Sequence, residues 1–154
     1  MRRMTKSRMA ARSGFTLTEV LLVLVILGVI AAMVVPNLIG QQQRANIMAT
    51  KNNIAGFEEA AKQYAVANGG EFPQGSADQA VQMMLNPGQD ASGRMISPYL
   101  EKIPKDAWEQ PLYYEWPNSK VANGVKPAIW SSGPNRQNED GSGDDINNWA
   151  ELTK

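Results

Sequence analysis

The sequence contains no histidine and no cysteine. Those two absences remove the commonest general base, the thiol nucleophiles and the principal transition-metal ligands. Ser131-Ser132-Gly133 therefore offers a hydroxyl with no histidine to activate it. Without cysteine no disulfide can fasten a small domain, so a bound ion or neighbouring copies must supply any extra fastening. Aromatic residues make up only 7% of the chain, and the fifteen Lys and Arg are matched by fifteen Asp and Glu. There is no basic stripe, which argues against a nucleic-acid partner. A length of 154 residues suffices for one modest domain.

The neutral average conceals an asymmetry. Arg2, Arg3, Lys6, Arg8 and Arg12 all precede Gly14, with no acid among them. Beyond that point ten basic residues face fifteen acidic ones, a net of about −5. The chain has one long apolar run, the sixteen residues from Val20 to Val35, and Glu19 stands directly before it. A secretory signal places its cleavage site after the apolar segment, at small residues. Here the glycine-flanked junction, Gly14-Phe15, lies before it. Cutting there removes the charges and leaves an apolar helix at the new N-terminus. With Phe15 to Glu19 included, the segment is close to the ~20 residues that span hydrocarbon. Basic flanking residues keep that end cytoplasmic and put the rest across the membrane. Glu19 at membrane depth costs on the order of 2–3 kcal/mol unless partnered. A new ammonium at Phe15 of a neighbouring copy is one partner; a position at the headgroup level is the alternative.

Downstream, Ile47, Ile54, Phe57, Ala61 and Tyr64 recur at offsets of seven, three, four and three, one stripe of an α-helix. Asn68-Gly69-Gly70 supplies a stop, so the spacing predicts a helix over Thr16 to Asn68, bent or interrupted at Pro36. Ser76 and Gln79 form an S-x-x-Q capping box ahead of a short helix with Ala80, Met83 and Met84 on its apolar face. Leu112 to Trp116 and Ala128 to Ser132 read as an antiparallel pair of strands, and the segment after them reads as loop. The fold class expected is α+β: a long bent N-terminal helix, transmembrane in its first half, packed on a small antiparallel sheet with a loop-rich C-terminus. Residues 1–14 form a basic leader, 15–36 a transmembrane and assembly helix, and 37–154 a head that includes the second half of the helix.

Near the C-terminus Glu139, Asp140, Asp144 and Asp145 are interspersed with Ser142 and glycines. Oxygen-rich, turn-prone segments suit Ca²⁺, but the EF-hand spacing is absent, so a solvated acidic loop remains the alternative. A catalytic acid pair is disfavoured because adjacent residues in an extended loop point apart. Trp108, Tyr113, Tyr114, Trp116, Trp130 and Trp149 could suggest a sugar platform, but several of them are assigned instead to packing of the sheet against the helical stripe.

Gly14, Phe15, Thr16, Leu17 and Glu19 followed by an apolar helix resemble the class III signal of the type IV pilin superfamily. The segments GGEFPQ, PYLEKIPKDAWEQPLYYEWP and IWSSGPNRQNEDGSGDDINNW are similar to the head of the major pseudopilin family of type II secretion. Ala107, Glu109 and Asn135 depart from that family's usual proline, glycine and aspartate. The resemblance implies cleavage after Gly14 by a prepilin peptidase and methylation of the Phe15 amine. It implies a homopolymer, a periplasmic pseudopilus drawn from the inner membrane, in which Glu19 and Pro36 serve assembly. An assembly platform in the inner membrane, minor pseudopilins and membrane lipid are the implied partners, and the subunit catalyses nothing. Calcium is implied at Ser132, Asn135, Gln137, Ser142, Asp144 and Asp145. A type IV pilin or minor pilin for adhesion or DNA uptake is the nearest alternative, though many such pilins carry paired cysteines that are missing here. A membrane-anchored periplasmic enzyme is the alternative from another class.

Overall fold

A computed structural model describes residues 14–89, 92–121 and 124–150, except for the side chains at 36 and 37. The expected leader, residues 1–13 of it, lies outside the described residues. The chain divides into two units, residues 1–40 and 41–154, each considered by itself.

In the first unit, helix α1 starts at Leu17; it ends at Ala67 in the second. Thr16 caps it, its hydroxyl accepting the Glu19 N–H at 3.2 Å. The helix continues through Pro36 without interruption. From Phe15 to Ile39 the large apolar side chains are exposed, among them Phe15, Leu21, Leu24, Ile30 and Met33. An apolar surface this extensive is left for lipid or other chains to cover.

The second unit explains why the stripe on α1 changes character. Ile54, Phe57 and Ala61 are buried, with Ile47 and Tyr64 packed at the margin. Burying a side chain such as Phe57 contributes roughly 1.5–3 kcal/mol. Helix α2 (Ala77–Leu85) carries the complete capping box, with the Ser76 hydroxyl and Gln79 side chain bonded reciprocally to each other's backbone. Its buried face consists of Ala80, Val81 and Met84. Met83, expected on that face, is instead exposed, and Val81 takes the inward place.

Strands β1 (Tyr113–Glu115) and β2 (Ala128–Ser131) pair antiparallel with Tyr114 opposite Ile129. A third strand, β3 (Ile146–Asn147), pairs antiparallel with β2 and completes the order β1-β2-β3. The sequence predicts loop at β3, because only Ile146 breaks a polar run there. Tyr114, Ile129 and Ile146 join the α1 stripe in one cluster, and the Tyr114 ring lies 5.6 Å from that of Phe57.

Trp130 and Trp149 do not pack against that stripe. They form a second cluster with Ala128, flanked by Tyr113, which stacks on Trp130 at 5.2 Å. Several of the aromatics do serve the helix–sheet core, namely Tyr114 with Trp108 and Trp116, while Tyr113 and Trp130 lie on the opposite face of their strands with Trp149.

The segment before β1 is pinned to α1 rather than paired with the sheet. The Thr50 hydroxyl, fully buried, accepts the Ala107 N–H, and Asn53 Nδ2 donates to the Lys105 carbonyl at 2.8 Å. Glu109 sits at φ +65°, a left-handed conformation costing roughly 1–2 kcal/mol for a residue with a Cβ. That cost accounts physically for a glycine preference at this turn.

Candidate functional site

Two regions carry chemistry: the start of α1 and the loop between β2 and β3. At the first, Gly14, Phe15 and Thr16 precede the helix, and Phe15 is 82% exposed. Glu19 occupies the third helical position, where its backbone is capped by Thr16 and its charge faces the positive end of the helix dipole. Among the described residues α1 is the one helix long and apolar enough to cross a membrane. Pro36 lies inside it and contributes no N–H, but its side chain is outside the described residues.

The second region is built outward from a buried carboxylate that no local sequence pattern marks. Asp106 is 3% exposed. Its Oδ1 accepts the N–H groups of Trp108 and Gln110, each at 2.9 Å, and its Oδ2 accepts the Ser131 hydroxyl at 2.7 Å. The Ser131 oxygen in turn accepts the Gly133 N–H at 3.1 Å. Asp106 thereby aims the chain as it leaves β2. The Ser131 hydroxyl is engaged in this scaffold.

Beyond Gly133 the backbone folds around its own acids. Asp144 Oδ2 accepts the Asn135 N–H at 3.0 Å, and Asp145 Oδ2 accepts the N–H groups of Glu139 and Gly141 at 2.9 and 2.8 Å. Glu139 Oε2 accepts the Asp144 N–H at 3.1 Å. Carboxylate oxygens of Glu139, Asp144 and Asp145 converge to within 4.8 Å of one another. Asp145 Oδ1 is buried and, among the described residues, has no hydrogen-bond partner. A Cβ on Gly133 would collide with the Asp144 carbonyl oxygen, so that glycine is required for the close approach.

Of the expected ligand positions, Asp144 and Asp145 belong to this carboxylate cluster. Ser132 is buried at the end of β2. Asn135 and Gln137 are exposed, and the Gln137 N–H donates to Asn135 Oδ1 at 2.6 Å. The Ser142 hydroxyl donates to the Glu139 carbonyl at 2.6 Å. Glu139 was not among the expected ligands, and composition had marked it only as part of an acidic run. The loop is moored to the second aromatic cluster: Asn138 Oδ1 accepts Trp130 Nε1–H at 2.8 Å, and Lys120 lies over the Trp130 ring 3.4 Å from Asp140.

Comparison with known proteins places these features together. Residues 9–35 match the prokaryotic N-terminal methylation motif, and residues 37–149 match type II secretion system (T2SS) protein G. The chain belongs to the type II secretion system protein G family. The core protein G of Vibrio cholerae is 31% identical over 144 residues, covering 92% of this chain and 94% of the relative. That of Aeromonas hydrophila is 32% identical, covering 90% and 92%. Among solved structures, the major pseudopilin from the type 2 secretion system of enterohaemorrhagic Escherichia coli aligns with a TM-score of 0.55 at 22% identity. It covers 75% of this chain and 92% of that one. This likeness bears on the fold, an α+β pilin-like arrangement of N-terminal helix and small antiparallel sheet. In this chain the methylation motif spans the Gly14-Phe15 junction and runs into the apolar helix.

Proposed function

We infer that this chain is a structural subunit of a type II secretion pseudopilus. The observation that carries the reading is the continuity of a methylation motif, an apolar helix with its side chains exposed, and a protein G head in one polypeptide. A prepilin peptidase cuts after Gly14 and the Phe15 amine is methylated. The arginine-rich leader holds its end in the cytoplasm, so the subunit is single-pass in the inner membrane with its head in the periplasm. Subunits leave the membrane through the assembly platform, join minor pseudopilins and polymerise, and the growing fibre drives export of folded proteins. No step in this work requires catalysis by the subunit. Glu19 of one copy neutralises the Phe15 ammonium of the next, and Pro36, which weakens the backbone bonding of α1, lets the helix adjust within the fibre.

The processing step has a direct test. Gly14→Leu places a bulky side chain at the junction a protease must admit. The variant isolated from membranes is expected to keep the mass of the full chain, whereas the parent chain loses residues 1–14. A parent chain that retained its leader would overturn the reading.

Calcium is the ion whose chemistry suits the β2–β3 loop. Its oxygen donors there are Asp144 and Asp145, with the Ser132 and Gln137 carbonyls, the Asn135 side chain and Ser142 around them. The converging carboxylates and the unpartnered Asp145 Oδ1 support this fit. When bound, calcium supplies the cross-link that a head without cysteine cannot obtain from disulfides. The residues themselves fold the loop back on β3 and keep its carboxylates facing one another. At a hundredfold excess over Kd, calcium stabilises by roughly 2.7 kcal/mol. For a head of this size that corresponds to about 10 °C in melting temperature. Adding a chelator to the calcium-loaded chain is expected to lower the thermal midpoint by that order; indifference to chelator would count against calcium.

A further inference from the structure

We propose that Glu139 is a calcium ligand of the β2–β3 loop and supplies the charge that Asn135 lacks. This rests on the calcium reading above and concerns which side chains carry it out. A divalent cation among oxygen donors is favoured by the number of charged ligands as well as by their geometry. Asn135 is neutral, exposed, and has its side-chain oxygen engaged by the Gln137 N–H in a local turn. Among the expected ligands that leaves two carboxylates, Asp144 and Asp145.

Glu139 makes a third. Its carboxylate lies within 4.8 Å of both aspartate carboxylates. One oxygen, Oε2, is held by the Asp144 N–H, and its own N–H donates to Asp145 Oδ2. The Glu139 carboxylate lies directly over Gly143, which is at φ +59°; a Cβ there would meet Glu139 Oε2 and Cδ and displace the carboxylate from its present place. The neighbouring Asn138 fixes the approach, because its Oδ1 accepts both Trp130 Nε1–H and the Asp140 N–H. Three carboxylates held this close repel one another, and one of them keeps a buried oxygen without a donor. A dication relieves both costs.

Glu139→Gln separates this role from a structural one, since glutamine keeps an oxygen to accept the Asp144 N–H and loses only the charge. With calcium chloride titrated calorimetrically into the full chain in detergent, Glu139→Gln is expected to weaken Kd by at least about tenfold, and Asn135→Ala by less than about threefold. In excess chelator the Glu139→Gln chain should melt no lower than the parent, because one of three repelling charges is gone, whereas loss of a scaffolding residue would lower it. If Glu139→Gln binds calcium like the parent while Asp144→Asn does not, Glu139 is no ligand and the calcium reading survives. If the parent itself shows no calcium binding, both readings fall.

Discussion

Replacing Glu19 with glutamine is expected to leave processing intact and to abolish incorporation into filaments. The substitution is nearly isosteric and spares the local structure. Thr16 caps the Glu19 N–H through its own hydroxyl, and glutamine serves as well as glutamate at the third position of a capping box. What disappears is one negative charge. Its interaction with the helix dipole is worth only about 0.3–1 kcal/mol at an exposed site. In a packed bundle of apolar helices the same charge has a larger duty. Cleavage creates an ammonium at Phe15 four residues away, and every copy then carries one charge of each sign at the same end. Stranding one such charge in a buried setting costs about 3–5 kcal/mol per subunit, and a polymer repeats that cost at every joint. Electron microscopy of sheared filaments should therefore show fibres from the parent and none from Glu19→Gln. N-terminal masses of the two membrane-isolated chains should show the leader gone from both. Normal fibres from the variant would remove the electrostatic basis of register and leave apolar packing alone.

The parts of the fold legible in the sequence are those where one local rule dominates. The Thr16–Asn68 helix, found as Leu17–Ala67, is announced by a 3.6-residue stripe and a glycine stop. The capping box of α2 and the pairing of β1 with β2 follow equally from residues close in sequence. Where two rules compete, reading fails. Met83 and Val81 are both apolar and two residues apart, and the side of α2 on which β1 packs decides which is buried. β3 has no strand signature of its own; Ile146 and Asn147 are extended because β2 offers an edge and the loop before them returns the chain to it.

The acidic loop shows the same division. Asp144 and Asp145 stand out as neighbours in sequence, but Glu139 reaches them only because Gly143 leaves space and the backbone turns at Asp140, which has φ +56°. Asp106 gave no signal beyond its place in a resembling segment, since its partner Ser131 is 25 residues away. A buried carboxylate that accepts several backbone N–H groups is a product of tertiary structure. Its nearest sequence cue is the turn formed by Lys105 to Pro111.

Glu58→Ala is expected to cost the head about 3 kcal/mol, since removing one partner of a buried ionic cluster leaves the others uncompensated. Glu58 is 9% exposed on α1 and joins three elements. Its carboxylate accepts Lys126 Nζ at 2.9 and 3.1 Å from the segment before β2, and Asn148 Nδ2 at 2.7 Å from the segment after β3. Lys62, one turn along α1, approaches to 2.8 Å. Asn148 also donates to the Pro127 carbonyl and accepts the Ile129 N–H, so the carboxylate holds a residue that closes the sheet. Lys62→Ala is the control; its side chain is 48% exposed, and its loss should cost under about 1 kcal/mol. Burial alone would raise the Glu58 pKa, but donation from Lys62, Lys126 and Asn148 outweighs it and holds the carboxyl below its ordinary 4.5. A carboxyl depressed in the folded state stabilises fully above its unfolded pKa, and that contribution is lost as pH falls through the lower, folded value. Glu115 behaves alike: burial would raise its pKa, and Ser119 and Lys120 bring it below the ordinary value. The parent alone therefore cannot isolate Glu58. The difference between parent and Glu58→Ala does so: urea unfolding should show the full gap at pH 7 and a shrinking gap as the pH falls below about 4.5. A gap that stayed constant into acid would mean that Glu58 acts through its shape and packing rather than its charge.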